Sequence, residues 1–202
     1  MNHSHLRRRQ LLYFGLGIVG IGAATTAFSN IRKVNPPSPF AANPSQTQAS
    51  DSVVVLPPPG KNLPEFQGIS QWFNSTPLSI ADLKGSVVLI QFWTFACINC
   101  QRTLPYITKW HRQYEAHGLK VIGIHTPEFA FERDANNIKK ALGQHQITYP
   151  VPVDNEYKTW NAYENGYWPH LFLADPQGAL RYDHVGEGAY EKTEQTIRQL
   201  LG

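Results

Sequence analysis

An α/β fold, with a central mixed sheet flanked by helices, is what this chain of 202 residues predicts. Three features carry that prediction. Val87–Trp93 is an apolar, β-branched run that reads as a buried strand. Leu104, Ile107, Trp110 and Tyr114 follow it at helical spacing. Leu119–His125 then alternates as a second core strand, and two later strand-like runs are joined by a segment containing Pro and Gly.

In chain order, residues 1–30 read as a targeting segment. Arg7-Arg8-Arg9 is a positive n-region, and residues 11–28 are apolar and rich in Gly and Ala. That is the arrangement of a secretory signal peptide or a short membrane anchor. Arg8-Arg9-Gln10-Leu11-Leu12 resembles a twin-arginine export signal, with Leu11 where Phe is usual. The apolar run, roughly 18 residues, is at the short end for a spanning helix. No clear small-x-small cleavage site follows it, so a cleaved signal and a retained anchor both stay open. Residues 31–61 are rich in Pro, Ser, Asn, Gln and Ala; Pro36-Pro37, Pro39, Pro44 and Pro57-Pro58-Pro59-Gly60 exclude regular helix and make this a linker.

The folded domain is expected over 62–202. Residues 71–74 are the first strand, and 79–85 form a short helical turn stopped by Gly85. Beyond the two core strands, 131–142 carries Ile138, Ala141 and Leu142 at helical spacing with Gly143 near its end. Val151–Val153 is a short strand, and 155–163 is a helix capped by Asn155. His170–Ala174 and Leu180–Val185 are strands, and the Asp175-Pro176-Gln177-Gly178 between them suits a tight hairpin. Residues 191–201 close the chain as a helix with Ile197, Leu200 and Leu201 inward. No internal repeat is visible.

Charge excludes little but is informative. Lys and Arg total 18 against 15 Asp and Glu, and the excess is spread out, which does not argue for nucleic acid. The two cysteines, Cys97 and Cys100, are one pair. A bridge closing so small a loop removes little chain entropy, so the pair is redox-active or metal-binding rather than a staple. It sits where a strand hands over to a helix. The unpaired N–H groups and positive dipole end of a helix stabilise a thiolate, which is the nucleophile of disulfide exchange. Cys97, before the helix, is therefore the attacking thiol, and Cys100, one turn inside, the resolving thiol.

Phe92-Trp93, the Cys-x-x-Cys and Pro105 resemble the active-site segment of thioredoxin-like proteins. The longer match, from about Leu78 to the C-terminus, resembles extracytoplasmic proteins of the TlpA/ResA type, and more closely still the redox domain of DipZ-like proteins. It is carried by Phe92-Trp93-Thr94, by Cys97-Ile98-Asn99-Cys100-Gln101-Arg102-Thr103-Leu104-Pro105, by His125-Thr126-Pro127-Glu128-Phe129-Ala130-Phe131-Glu132, by Tyr167-Trp168-Pro169 and by Gly186-Glu187-Gly188. The resemblance implies a thioredoxin fold with a TlpA-like helical insert over about 126–164. It implies thiol-disulfide exchange with protein clients outside the cytoplasm, in the reducing direction, without a cofactor. It also implies a cis-proline at Pro169 facing the cysteines, with Trp93, Ile98, Asn99, Trp168 and Pro169 as the substrate-binding surface.

Further implications concern acid and partner. TlpA/ResA-like proteins carry a functional acid near the place of Glu128, which would accept the Cys100 proton if it is partly buried. Gln91 stands where cytosolic-type thioredoxins have a buried Asp, and an amide cannot relay a proton by ionising. DipZ-like proteins fuse this domain to a CcdA-type membrane thiol carrier, so a separate carrier of that type is an expected electron source. The alternative class is a binding module, either a copper carrier or a redox-inert adaptor. His125, His170 and His184 are the histidines a metal reading would use. The wider Cys-x-x-x-Cys of the copper-chaperone branch is absent, so no metal is expected. A peroxiredoxin reading, which needs Thr-x-x-Cys before a single peroxidatic cysteine, is set aside.

Overall fold

The computed structural model describes Leu56 and residues 58–202. The expected targeting segment 1–30 and nearly all of the linker lie outside the described residues. Among the described residues no helix is long and apolar enough to cross a membrane.

Six strands form one sheet: β1 (Gln71–Phe73), β2 (Val87–Trp93), β3 (Leu119–His125), β4 (Val151–Val153), β5 (His170–Ala174) and β6 (Leu180–Val185), in the order β1-β4-β3-β2-β5-β6. β2, β3 and β4 run parallel, and β1, β5 and β6 pair antiparallel with their neighbours. The helices are α1 (Ile98–Tyr114), α2 (Ala135–Gln144), α3 (Lys158–Ala162) and α4 (Tyr190–Leu201).

Every residue of β2 is buried. Leu89 and Trp93 pack with Leu104, Ile107 and Trp110 of α1 and Ile197 of α4. Val88, Ile90 and Phe92 pack with Leu63, Leu83, Trp160 and Tyr163 in a second cluster. A strand covered on both faces has no polar side, which is why its sequence reads as an unbroken apolar run. Gly123 of β3 lies hard against the Tyr149 and Trp93 rings of the first cluster. A Cβ there would lie 2.7 Å from the Tyr149 ring and 3.2 Å from the Trp93 indole nitrogen. The same indole N–H donates to the Gly123 carbonyl at 3.1 Å.

Two helices differ from expectation. The pattern over 131–142 is not one helix: Ala130–Arg133 is a 3-10 turn, the chain extends at Asp134, and α2 begins afresh. The Asp134 carboxylate accepts from the Asn136 and Asn137 N–H groups at 2.8 and 3.1 Å, an N-cap that starts a new helix. The helix expected over 155–163 shrinks to α3, because Tyr157 takes a left-handed conformation (φ 60°) and delays entry. Asn155 is not its cap; instead the buried Asp154 accepts from the Trp160 N–H at 2.7 Å. In α4, Ile197 is buried as expected, whereas Leu200 and Leu201 are half-buried. Thr193 and Thr196 take inward positions, their hydroxyls donating to the carbonyls of Ala189 and Lys192 one turn back.

Candidate active site

The sheet brings three strand ends to one edge. Trp93 at the end of β2 lies opposite His125 at the end of β3, and Phe92 lies opposite His170 at the start of β5. The chain leaves β2 here through Thr94, Phe95 and Ala96, and Cys97 is the N-cap of α1. Cys97 Sγ accepts the Cys100 backbone N–H at 3.3 Å and lies 3.8 Å from the Trp168 carbonyl oxygen. Cys97 is half-buried, Cys100 is fully buried in the core, and both are free thiols.

That one turn separates the two sulfurs chemically. A hydrogen bond from the Cys100 side chain, helped by the backbone N–H groups of Cys100 and Asn99, pulls the Cys97 thiol down to about 6 against burial and the Glu128 charge. Burial first, then its bond to Cys97, pushes the Cys100 thiol far up, and the Cys97 and Glu132 charges push the same way. At neutral pH Cys97 is the thiolate and Cys100 the thiol.

The Trp168–Pro169 peptide bond is cis. The Pro169 carbonyl accepts the Gly186 N–H at 2.8 Å, and Gly186 has φ 86°, which favours glycine. The half-buried Trp168 donates its indole N–H to the Thr126 carbonyl at 3.0 Å and packs 4.2 Å from the Trp160 ring. It is therefore both packed and adjacent to Cys97 through its own carbonyl. Ile98 and Asn99 are exposed on the first turn of α1, as a contact surface requires. Trp93 is not on that surface: it is 0% exposed, with its indole N–H bound inside the core, so it supports the site from behind instead of touching a client.

Glu128 also departs from expectation. It is exposed, so the partial burial that a proton acceptor for Cys100 was expected to have is missing. The buried acid of this loop is Glu132, four residues on. Its Oε1 accepts from the Thr94 hydroxyl at 2.5 Å and the Ala96 N–H at 3.0 Å. Its Oε2 accepts from the Glu128 and Phe129 N–H groups at 2.7 and 2.8 Å. The Thr94 hydroxyl donates its hydrogen bond to Glu132, so it can only accept from His125 Nε2, 3.3 Å away. His125 Nε2 therefore carries the hydrogen, and Nδ1 is a buried lone-pair nitrogen with no protein partner. Burial holds the His125 imidazole down to about 4. Gln91 is fully buried, with neither amide atom paired to protein.

The remaining sequence candidates separate. His170 Nδ1 lies 2.7 Å from the Asn165 side-chain oxygen and Nε2 lies 3.2 Å from Asp183, so its ring is held on both sides next to Pro169 in the chain. His184 Nε2 lies 3.4 Å from the Glu187 carbonyl. Among the described residues no group of three or more His, Cys, Asp or Glu could hold a metal ion. Thr94 stands three residues before Cys97, so the Thr-x-x-Cys spacing is present, contrary to the ground on which the peroxiredoxin reading was set aside. Its hydroxyl is bound to Glu132, and a second thiol sits one turn on. Thr94, Glu132 and Gly186 received no role from the sequence, although each lies in a segment that carries the family resemblance.

A model of the AhpC/TSA family matches residues 59–183. The chain is 43% identical over 164 residues to Protein DipZ of Mycobacterium tuberculosis (strain CDC 1551 / Oshkosh), a match covering 80% of this chain and 24% of that protein. It is 27% identical over 139 residues to the thiol-disulfide oxidoreductase YkuV of Bacillus subtilis (strain 168), covering 69% of this chain and 93% of the relative. Among solved structures, a thioredoxin-like protein in its oxidised form superposes with a TM-score of 0.65 at 28% identity, covering 70% of this chain and 95% of the other. The fold is thioredoxin-like. The chain spans about a quarter of the DipZ relatives' length.

Proposed function

The chain belongs to the AhpC/TSA family, and on that premise we propose that it is an extracytoplasmic thiol-disulfide oxidoreductase that reduces protein disulfides through Cys97 and Cys100. The observation that carries this reading is the division of labour within one helical turn: Cys97 Sγ caps α1 and accepts the Cys100 N–H, while the Cys100 thiol is buried. The Cys97 thiolate attacks one sulfur of a client disulfide. A Cys97–client bond forms, and the other client sulfur leaves as a thiolate that takes a proton from water. Cys100 then attacks the Cys97 sulfur, its proton passing to the departing client sulfur. The intramolecular disulfide forms and the client's second sulfur leaves as a thiol.

The exposed Ile98 and Asn99, the Trp168 carbonyl and cis-Pro169 form the edge against which a client strand docks. The domain begins near residue 62. The basic-then-apolar N-terminal segment supports export or anchoring, with 31–61 as a spacer from the membrane. A CcdA-type membrane dithiol carrier is the proposed source of electrons, since each turnover leaves the pair oxidised.

A trapping experiment tests this. The full chain carrying Cys100→Ser, mixed with insulin, should accumulate a Cys97-linked adduct that excess thiol dissolves, and the same trap should retain a membrane dithiol protein. Cys97→Ser should give no adduct. Insulin reduction at the wild-type rate by the Cys97→Ser/Cys100→Ser double variant would overturn the reading.

A further inference from the structure

The buried carboxylate of Glu132 ties together the two connections flanking the dithiol. One oxygen holds Thr94 and Ala96, on the connection that delivers Cys97. The other holds the Glu128 and Phe129 amides, on the connection leaving β3. Four donors meet it, the pattern that suits an acceptor-only carboxylate. Thr94 joins it to the Cys100 sulfur directly, because its backbone also hydrogen-bonds to that thiol. The side chain is 0% exposed, so its charge reaches the Cys100 thiol with little screening by water.

We propose that Glu132 is the positioning residue of the dithiol: a four-point anchor whose fixed negative charge biases the Cys97/Cys100 pair toward the disulfide. The bias follows from the redox balance. In exchange with glutathione, two glutathione thiols supply two electrons and their protons, the Cys97–Cys100 bond breaks, and glutathione disulfide leaves. The product at neutral pH is the Cys97 thiolate beside the Cys100 thiol. The Cys97 thiolate accepts a hydrogen bond from the Cys100 thiol, so a negative charge beside Cys100 opposes this charged reduced pair, leaves the neutral disulfide untouched, and makes the protein the stronger reductant. Glu132 thus takes the place beside the dithiol that was expected for Glu128, but it acts differently, holding and biasing the pair without taking the proton.

The proposal rests on the oxidoreductase reading, and the experiment separates the two. The equilibrium constant with reduced and oxidised glutathione is measured on the full chain, with thermal unfolding of both redox forms alongside. Glu132→Gln should shift the equilibrium at least about threefold toward the dithiol. Thr94→Val removes the hydroxyl that offsets the carboxylate and should shift it the opposite way. Glu132→Asp keeps the charge and should stay within about twofold of wild type even if it melts earlier, and it serves with Thr94→Val if the Gln variant does not fold. A purely structural Glu132 would lower melting in all three and leave the equilibrium in place. That outcome, or a shift of the same sign in the Gln and Val variants, overturns the proposal. A wild-type pair that never equilibrates with glutathione overturns the oxidoreductase reading itself.

Discussion

The mouth and the floor of the first turn of α1 are built by opposite rules. At the mouth, Cys97 is half-buried, caps the helix and is accompanied by side chains open to solvent: Ile98 is 56% exposed, Phe129 51% and Phe131 53%. The two phenylalanine rings stack at 5.8 Å, and Phe131 lies 5.8 Å from Phe95. At the floor, Cys100, Trp93, Gln91, His125 and Glu132 are all shut away from water. One turn of helix thus joins a surface shaped for another molecule to an interior shaped for fixed electrostatics. The difference predicts that changes at the mouth cost activity with little loss of stability, and that, apart from the resolving Cys100 and the charge of Glu132, changes at the floor cost stability.

The largest expected effect is at the mouth. Cys97→Ser should reduce insulin turnover to the background rate while leaving the unfolding midpoint of the reduced protein close to wild type, because the hydroxyl can still cap α1. A large fall in stability together with activity would erase the distinction.

At the floor, His125 links stability to pH. Its folded value of about 4 lies below its ordinary 6.5, so the unfolded chain binds the extra proton first. Its contribution is complete above pH 6.5 and lost as pH falls toward 4, up to about 3 kcal/mol. Denaturant unfolding between about pH 7 and 4 should show that slope, and His125→Gln should flatten it. A smaller loss, about 1–3 kcal/mol, is expected for Gly123→Ala, since the new methyl meets the Tyr149 ring at 2.7 Å. The mouth supplies the smallest effect. Phe131→Ser should raise KM roughly three- to tenfold for a peptide disulfide with apolar flanks and leave a small polar disulfide unaffected.

The floor and the mouth were not equally legible in the sequence. Strands buried on both faces announce themselves as apolar runs, so β2 and β3 were placed to the residue, and the helical spacing of Leu104, Ile107 and Trp110 placed the core face of α1. The cysteines were legible because their spacing and the strand-to-helix junction are both local. Glu132 was not. A buried acid and an exposed one look alike in a sequence, and its partners lie up to 38 residues away. The same blindness put Trp93 on the client surface, since an aromatic beside a Cys-x-x-Cys gives no sign of which way it faces. Tyr157 and Asp134 show the smaller version of the problem: one backbone turn or one side-chain cap moved a helix start that periodicity alone had smoothed over.

The claim that the two thiols are divided within one turn is tested most directly by their alkylation rates against pH in the reduced full chain. Cys97 should react with a midpoint near 6, and Cys100 should stay unmodified across the range in which the protein is folded. Two cysteines reacting together, with a shared midpoint near the ordinary thiol value of about 8.5, would contradict it.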